Sequence, residues 1–165
     1  MKNGLHALFM EELADMYDAE QQLLKALPAL AKSAQKGELK KAFEAHLKET
    51  ENHVSRLEKV FESLDAKPKK KACKGVQGII KEGKEAIEEH EGSEEGDAAL
   101  ICAAQKTEHY EIATYGCLCA WADQMGHEKA LDLLEENLAE EKAADEKLTK
   151  IAKSSANRAA AHSSN

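Results

Sequence analysis

The chain has 165 residues, which is enough for one domain with a substantial apolar core. It carries 31 acidic and 23 basic side chains, so its formal net charge is −8. This balance argues against nucleic acid as the main partner, because phosphate binding requires clustered positive charge. It equally argues against a basic helix lying on a membrane surface.

Targeting signals and membrane spans are also not predicted. No segment reaches the roughly 18–20 uncharged residues that a membrane span requires. Glu11, Glu12 and Asp15 fall where a signal peptide would need an apolar run. The four cysteines form no CxxC motif, and we interpret them as reduced thiols packed in a core. The sequence therefore predicts a cytoplasmic protein.

The composition predicts helices and no sheet, since only two prolines occur and no run alternates polar and apolar residues over strand length. Apolar residues recurring every three or four positions predict five helices, over residues 5–34, 38–64, 73–90, 98–124 and 128–153. We expect Pro28 to kink or break the first helix near residues 25–27, and Asp97 to cap the fourth. A domain of residues 1–153 and a disordered tail of residues 154–165 complete the expected organisation.

Four of these helices are long, and they form two pairs. Short turns around Gly37 and Gly126 join the partners within each pair, which makes them antiparallel neighbours. The connection between the pairs is long enough to cross the bundle and contains the shorter third helix. The predicted fold is therefore all-α: a ferritin-like four-helix bundle of two helical hairpins with one long crossover.

Ionisable residues interrupt the inward apolar stripe of every long helix near its middle. The candidates are Glu20 in the first helix, His46, Glu49 and His53 in the second, Glu108 and Glu111 in the fourth, and Glu141 and Asp145 in the fifth. A bare buried carboxylate costs several kcal/mol, and no Lys or Arg falls at the same inward levels. Cations would offset this cost, and four carboxylates with one or two imidazoles suit iron or manganese better than zinc.

The pattern differs from the usual di-iron bundle, which places a Glu-x-x-His sequence on two helices. Here Glu49 and His53 are four residues apart, and Asp145 takes the position of the second histidine. Spacings of three and four both keep two residues on one helix face. We expect Glu49 and Glu141 to bridge two metal ions. The alternative for each residue is a solvated or ion-paired side chain, and for His46 and Glu111 a role in supporting the ligands.

Four stretches of the chain resemble the YciF/YciE family of bacterial stress proteins. They are DAEQQLLKALP at residues 18–28, HLKET at 46–50, EHYEIATYG at 108–116 and EEKAADEKL at 140–148. The resemblance covers about residues 5–152. It implies a ferritin-like four-helix bundle, a homodimer and a dinuclear metal centre, but it does not define a reaction.

Two hypotheses about function follow. In the first, two iron or manganese ions carry redox chemistry with dioxygen or peroxide, with Glu20 and Glu108 as terminal ligands. In the second, the protein is a structural or interaction protein whose metal only stabilises the bundle. We expect a homodimer, because apolar residues in and near the crossover, such as Ile79, Ile80 and Ile87, exceed what one bundle needs to bury.

Overall fold

The computed structural model describes residues 4–162, and within that range the secondary structure is entirely helical. The helices are α1 (Gly4–Ser33), α2 (Gly37–Ser63), α3 (Lys74–His90), α4 (Gly96–Gln124), α5 (Glu128–Ile151), a π-helical turn (Ala152–Ala156) and α6 (Asn157–His162). Between residues 4 and 162 no helix is both long enough and apolar enough to cross a membrane.

The four long helices form a closed bundle of two hairpins. α1 packs against α2 and α4 packs against α5, each pair being joined by three residues. α2 also packs against α5, and α1 against α4, which closes the bundle. α3 lies in the connection between the hairpins and covers α4 and α1. This arrangement confirms the predicted all-α bundle with a long crossover.

The apolar core is divided into two clusters by a band of buried ionisable side chains. One cluster includes Phe9, Leu13, Leu57, Phe61 and Leu134. The other includes Leu39, Phe43, Leu100, Ile101 and Leu148. On α2, α4 and α5 the ionisable residues fall between the parts of the helix that enter each cluster. Each fully buried Leu or Phe contributes about 1.5–3 kcal/mol, so the two clusters can hold a polar band between them.

Two local predictions concern a helix break and a helix cap. A break of α1 near residues 25–27 is wrong, since the helix runs through Pro28, and a kink there stays a prediction. Asp97 does not cap α4, whose N-cap position is Glu95. Instead the buried Asp97 carboxylate accepts the backbone N–H groups of Gln35 and Lys36, at 2.8 and 2.9 Å. It therefore ties the α1–α2 connection to the start of α4, which is a long-range role that local sequence cannot show.

The predicted disordered tail is also wrong for the part of it that the structure describes. Helical structure continues through the π-helical turn and α6 to His162, and residues 163–165 lie outside the described residues. Ala156 is fully buried, and both it and Ala152 pack on the cluster that contains Leu148. Because these alanines are four residues apart, they share one helix face, although each buries too little area to stand out in the sequence.

The crossover isoleucines are more enclosed than the sequence suggested. Ile80 packs against the cluster containing Phe9, and Ile87 against the cluster containing Leu39. The apolar surface from which we expected a dimer is therefore smaller than predicted. The homodimer stays a prediction, for which the mass in solution is the measurement.

A close approach between α3 and α4 requires a glycine. A Cβ atom at Gly75 would lie 2.6 Å from the Tyr110 ring. That ring is held in place, since the Tyr110 hydroxyl lies 3.1 Å from Cys73 Sγ and donates a hydrogen bond to Asp15 at 3.3 Å. Gly78, one turn along α3, has no atom within 4 Å of its Cβ position.

We therefore predict opposite effects for alanine at these two glycines. Gly78→Ala should raise the free energy of unfolding by up to about 1 kcal/mol, because alanine favours the helix. Gly75→Ala should lower it by about 1–3 kcal/mol, because the added methyl displaces Tyr110. Urea unfolding of both variants beside the parent chain measures the difference. Equal stabilisation by both would show that Tyr110 moves aside freely.

Candidate metal centre

Six ionisable side chains are buried in the middle of the bundle. They are Glu20 on α1, His46 and His53 on α2, Glu108 and Glu111 on α4, and Glu141 on α5. None is more than 7% exposed. The helical repeat brings them inward together, since His46 and His53 are two turns apart and Glu108 and Glu111 one turn apart.

The first of two groups in this band contains His46 with three carboxylates. His46 Nε2 lies 3.3 Å from Glu108 Oε1 and 3.5 Å from Glu141 Oε2. Glu111 completes the group, and one donor atom from each of the four side chains lies within 4.8 Å of the others. Such a cluster of imidazole and carboxylate donors has the size of a cation site.

The second group contains His53, Glu20 and Glu141. His53 Nδ1 lies 2.8 Å from Glu141 Oε1 and 3.2 Å from Glu20 Oε1. Glu141 therefore belongs to both groups, and it directs Oε2 towards His46 and Oε1 towards His53. A fully buried carboxylate between two donor groups is the arrangement of a bridging ligand.

Each histidine is held by a carboxylate on the side that faces away from the band. Glu49 lies 3.0 Å from His46 Nδ1, and Glu140 lies 2.8 Å from His53 Nε2. A proton in each of these contacts leaves the other ring nitrogen of a neutral imidazole free to bind a cation. The outer carboxylates thus select the tautomer that presents a lone pair to the band.

A hydrogen-bond network continues outward from the second group. Arg56 donates to both oxygens of Glu140, at 2.9 Å each, and to the side chain of Asn137. Asn137 in turn donates to the Tyr115 hydroxyl at 3.0 Å, and that hydroxyl donates to Glu20. The network links Arg56, near the surface, to two of the donor side chains and limits their rotation.

Burial and the neighbouring charges shift the pKa values of the metal-free band. Desolvation raises the pKa of Glu108 and of Glu111 well above its usual range, and that of Glu141 less strongly. Burial lowers the pKa of His53, but hydrogen bonds and charges of Glu141 and Glu20 outweigh it and raise the value to about 11. The metal-free chain therefore holds protons in the band, and a bound cation would release them.

The carboxylate oxygens of the band fit a cation. Both oxygens of Glu111 and one each of Glu20 and Glu108 have no hydrogen-bond donor among residues 4–162, and the two oxygens of Glu141 have only their ion-pair contacts with His53 and His46. An acceptor without a donor is costly at full burial. Four carboxylates also carry the charge that neutralises two divalent cations, with two imidazoles as uncharged donors.

Six of the eight residues singled out in the sequence lie in the two donor groups, and two lie outside them. The six are Glu20, His46, His53, Glu108, Glu111 and Glu141. Glu49 belongs to neither donor group: its side chain is 42% exposed and contacts His46 from outside. Asp145 also lies apart, where it accepts a hydrogen bond from Gln105 at 3.0 Å and lies 3.3 Å from His109. Of the two residues predicted to bridge metal ions, only Glu141 lies between the two donor groups.

The sequence could not separate Glu49 and Asp145 from the inward residues, because spacing defines a helix face only to within about one residue. On α2 the inward face runs through His46 and His53, seven residues apart, so Glu49 falls beside that line. Among the outer residues, Glu140 and Arg56 were not found from the sequence. The available signal was weak: Glu140 adjoins Glu141, and Arg56 is one turn beyond His53.

Two cavities flank the band on different sides of the bundle. One, of about 80 Å³, lies among α1, α3 and α4 and has mainly Leu, Ile and Ala walls. The other, of about 90 Å³, lies among α2, α4 and α5, and its walls include the charged side chains of Glu49 and Lys147. Both reach His46 and Glu108. The donor groups are therefore reached by two cavities that lie between different sets of helices.

Known proteins are similar to this chain in sequence and in fold. Residues 4–161 match the family described as a domain of unknown function, DUF892. Protein YciF of Escherichia coli K12 is 47% identical over 154 residues, which is 93% of each chain. The crystal structure of this E. coli stress protein superimposes with a TM-score of 0.87, covering 92% of the present chain and 96% of YciF.

Two other solved structures extend the likeness. YcfI of Rhodopseudomonas palustris, conjectured in its description to be a structural protein, is 41% identical, with a TM-score of 0.87 over 90% of this chain and 94% of its own. A protein of Xanthomonas campestris at 20% identity shares the fold, with a TM-score of 0.70 over 91% of this chain and 92% of its own. The family match over residues 4–161 shows that the chain belongs to the DUF892 family, and the 47% identity shows that YciF is its relative.

Proposed function

We propose that this protein, a relative of a bacterial stress protein, binds two iron ions, or two manganese ions, in the middle of its bundle and uses them in redox chemistry with dioxygen or peroxide. The observation that carries the proposal is Glu141, which is fully buried and presents one oxygen to each of two histidine–carboxylate groups. A shared carboxylate with donors on both sides suits two cations better than one.

The donor chemistry favours iron or manganese. The two groups contain only carboxylate and imidazole donors, and cysteine is not among them. This mixture suits first-row divalent metals of intermediate hardness, whereas structural zinc sites favour thiolates. The chain departs from the usual di-iron bundle in that both histidines come from α2 and α5 supplies none.

The residues of the chain would have distinct roles in such a centre. Glu141 would bridge, Glu108 and Glu111 would complete the group at His46, and Glu20 the group at His53. Glu49 and Glu140 hold the imidazoles in orientation from outside. The buried walls limit access of water and so strengthen every electrostatic contact inside. A bound metal pair would supply the electrons for the reduction of dioxygen or peroxide.

A structural role for the metal is the second candidate. In the metal-free chain the histidines already face carboxylates, at 2.8 Å for His53–Glu141 and 3.3 Å for His46–Glu108, so the bundle has a partial substitute for a cation. A cation would then replace these contacts and stabilise the fold without any reaction. The description of YcfI as a conjectured structural protein points in the same direction.

Aerobic titration of the metal-free chain with Fe(II) distinguishes these candidates. If the redox proposal is correct, the chain binds two irons and oxidises them rapidly. Absorbance and oxygen consumption measure the oxidation. Zn(II), which has no redox chemistry, serves as the control for binding alone. Iron that binds but stays ferrous in air would favour the structural role. A chain that binds neither metal would overturn the proposal itself.

The bridging role predicts a difference between two glutamates. Glu141→Gln should lose both metal ions, because one carboxylate serves both donor groups. Glu49→Gln should keep two ions per chain, because this side chain lies outside both groups. Elemental analysis after dialysis against Mn(II) gives the counts, and circular dichroism checks the fold. Two ions retained by Glu141→Gln would exclude it as the bridge.

The outer carboxylate of His53 has a matched control on the same helix. Glu140→Gln should weaken metal binding about 10–100-fold, because His53 loses its charged partner. Glu136 also pairs with Arg56, at 2.8 Å, but makes no recorded contact with His53, so Glu136→Gln should change the affinity little. Competition for Mn(II) with a chelator of known affinity measures both. Equal weakening in the two variants would assign the effect to Arg56 instead.

A further inference from the structure

The cavity among α1, α3 and α4 has a gradient of polarity along its length. Its walls are apolar and include Leu23, Leu27, Ile80, Ile87 and Ala104. Its inner end is formed by His46, Glu108 and Glu111, which are buried donors of the first group. Its outer end meets solvent, since Lys25 and Lys84 also line it and are exposed. The cavity therefore leads from the surface through an apolar section to the proposed metal centre.

The volume limits what the apolar section can hold. At about 80 Å³ it is roughly half of the 150 Å³ apolar cavity that accommodates benzene or xenon in another protein. A ligand of a few heavy atoms fits, whereas an aromatic ring or a long chain does not. A polar ligand would lose its hydrogen bonds to water against these walls without recovering them.

We infer that this cavity is a binding site for a small, uncharged and mainly apolar molecule that reaches the proposed metal centre beside Glu108 and Glu111. The inference deepens the proposed function, and rests on it for the role of the bound molecule. The presence of the site itself needs no metal. The second cavity reaches His46 and Glu108 between α2, α4 and α5, and Glu49 and Lys147 interrupt its mainly Ala, Phe and Leu walls.

Three positions on α1 and α3 allow the inference to be tested by substitution. Gly83 is buried in the cavity wall on α3, and a Cβ there meets only Ala103, at 3.8 Å. A longer side chain at this position therefore extends into the cavity. Ala26, on α1, lines the opposite wall. Gly78 lies on α3 outside the cavity, with free space around it, and is the matched control for a large residue on this helix.

Xenon is the probe for the apolar section, because it is monatomic, uncharged and polarisable. Methyl NMR spectra of the metal-free chain are recorded under xenon, with nitrogen at the same pressure as the control. We expect saturable shifts at the methyl groups of Ile79, Ile80 and Ile87, which line the cavity. The buried Leu134, on α5, does not line the cavity and should not respond. Formamide, a polar molecule of three heavy atoms, should cause no saturable shift at these isoleucines.

The variants decide whether the shifts come from this cavity. Gly83→Leu should abolish the xenon response, and Gly78→Leu should retain it. Should Gly83→Leu fail to fold, Ala26→Leu fills the cavity from the other wall and carries the same expectation. Absence of saturable isoleucine shifts, an equal response to formamide, or an undiminished response in the filled variant would each overturn the inference. Because the measurement uses metal-free protein, its failure is distinguishable from failure to bind two metal ions.

Discussion

Burial of Glu141 is the constraint on which the rest of the site depends. A carboxylate at zero exposure is stable only when charge or hydrogen bonds compensate for the lost water. In the metal-free chain the two histidines of α2 supply that compensation from opposite sides. The same two contacts give Glu141 one oxygen for each donor group. Burial of the Glu141 carboxylate between two histidines thus costs folding free energy, and it is also what makes a dinuclear centre feasible.

The two apolar clusters and the outer network keep this band in place. The clusters above and below it supply hydrophobic stabilisation, so the middle of the bundle can remain polar. Glu49 and Glu140 fix the histidine rings, and Arg56 fixes Glu140. Because these side chains are already held in place, the binding of a cation would require little rearrangement. The two flanking cavities reach the band between different sets of helices.

The fold and part of the site could be predicted because they depend on helical periodicity. The apolar stripes gave the long helices, and Glu20, Glu108 and Glu141 were found as carboxylates that interrupt those stripes. Periodicity is less informative when candidates are close together on one helix. Around α2 it could not distinguish Glu49 from His46 as the inward residue, because the rotation of the helix about its axis depends on packing against α5 and α1.

The sequence by itself determined the helices, their pairing and the presence of buried acidic residues, since each follows from local spacing and from turn length. Tertiary structure alone decided three other features. It placed Glu141 between two histidines, it set Glu49 outside the donor groups, and it directed Asp97 to the α1–α2 connection. All three depend on distances between helices that are far apart in the chain. Such distances are fixed only when the cores of both hairpins pack together.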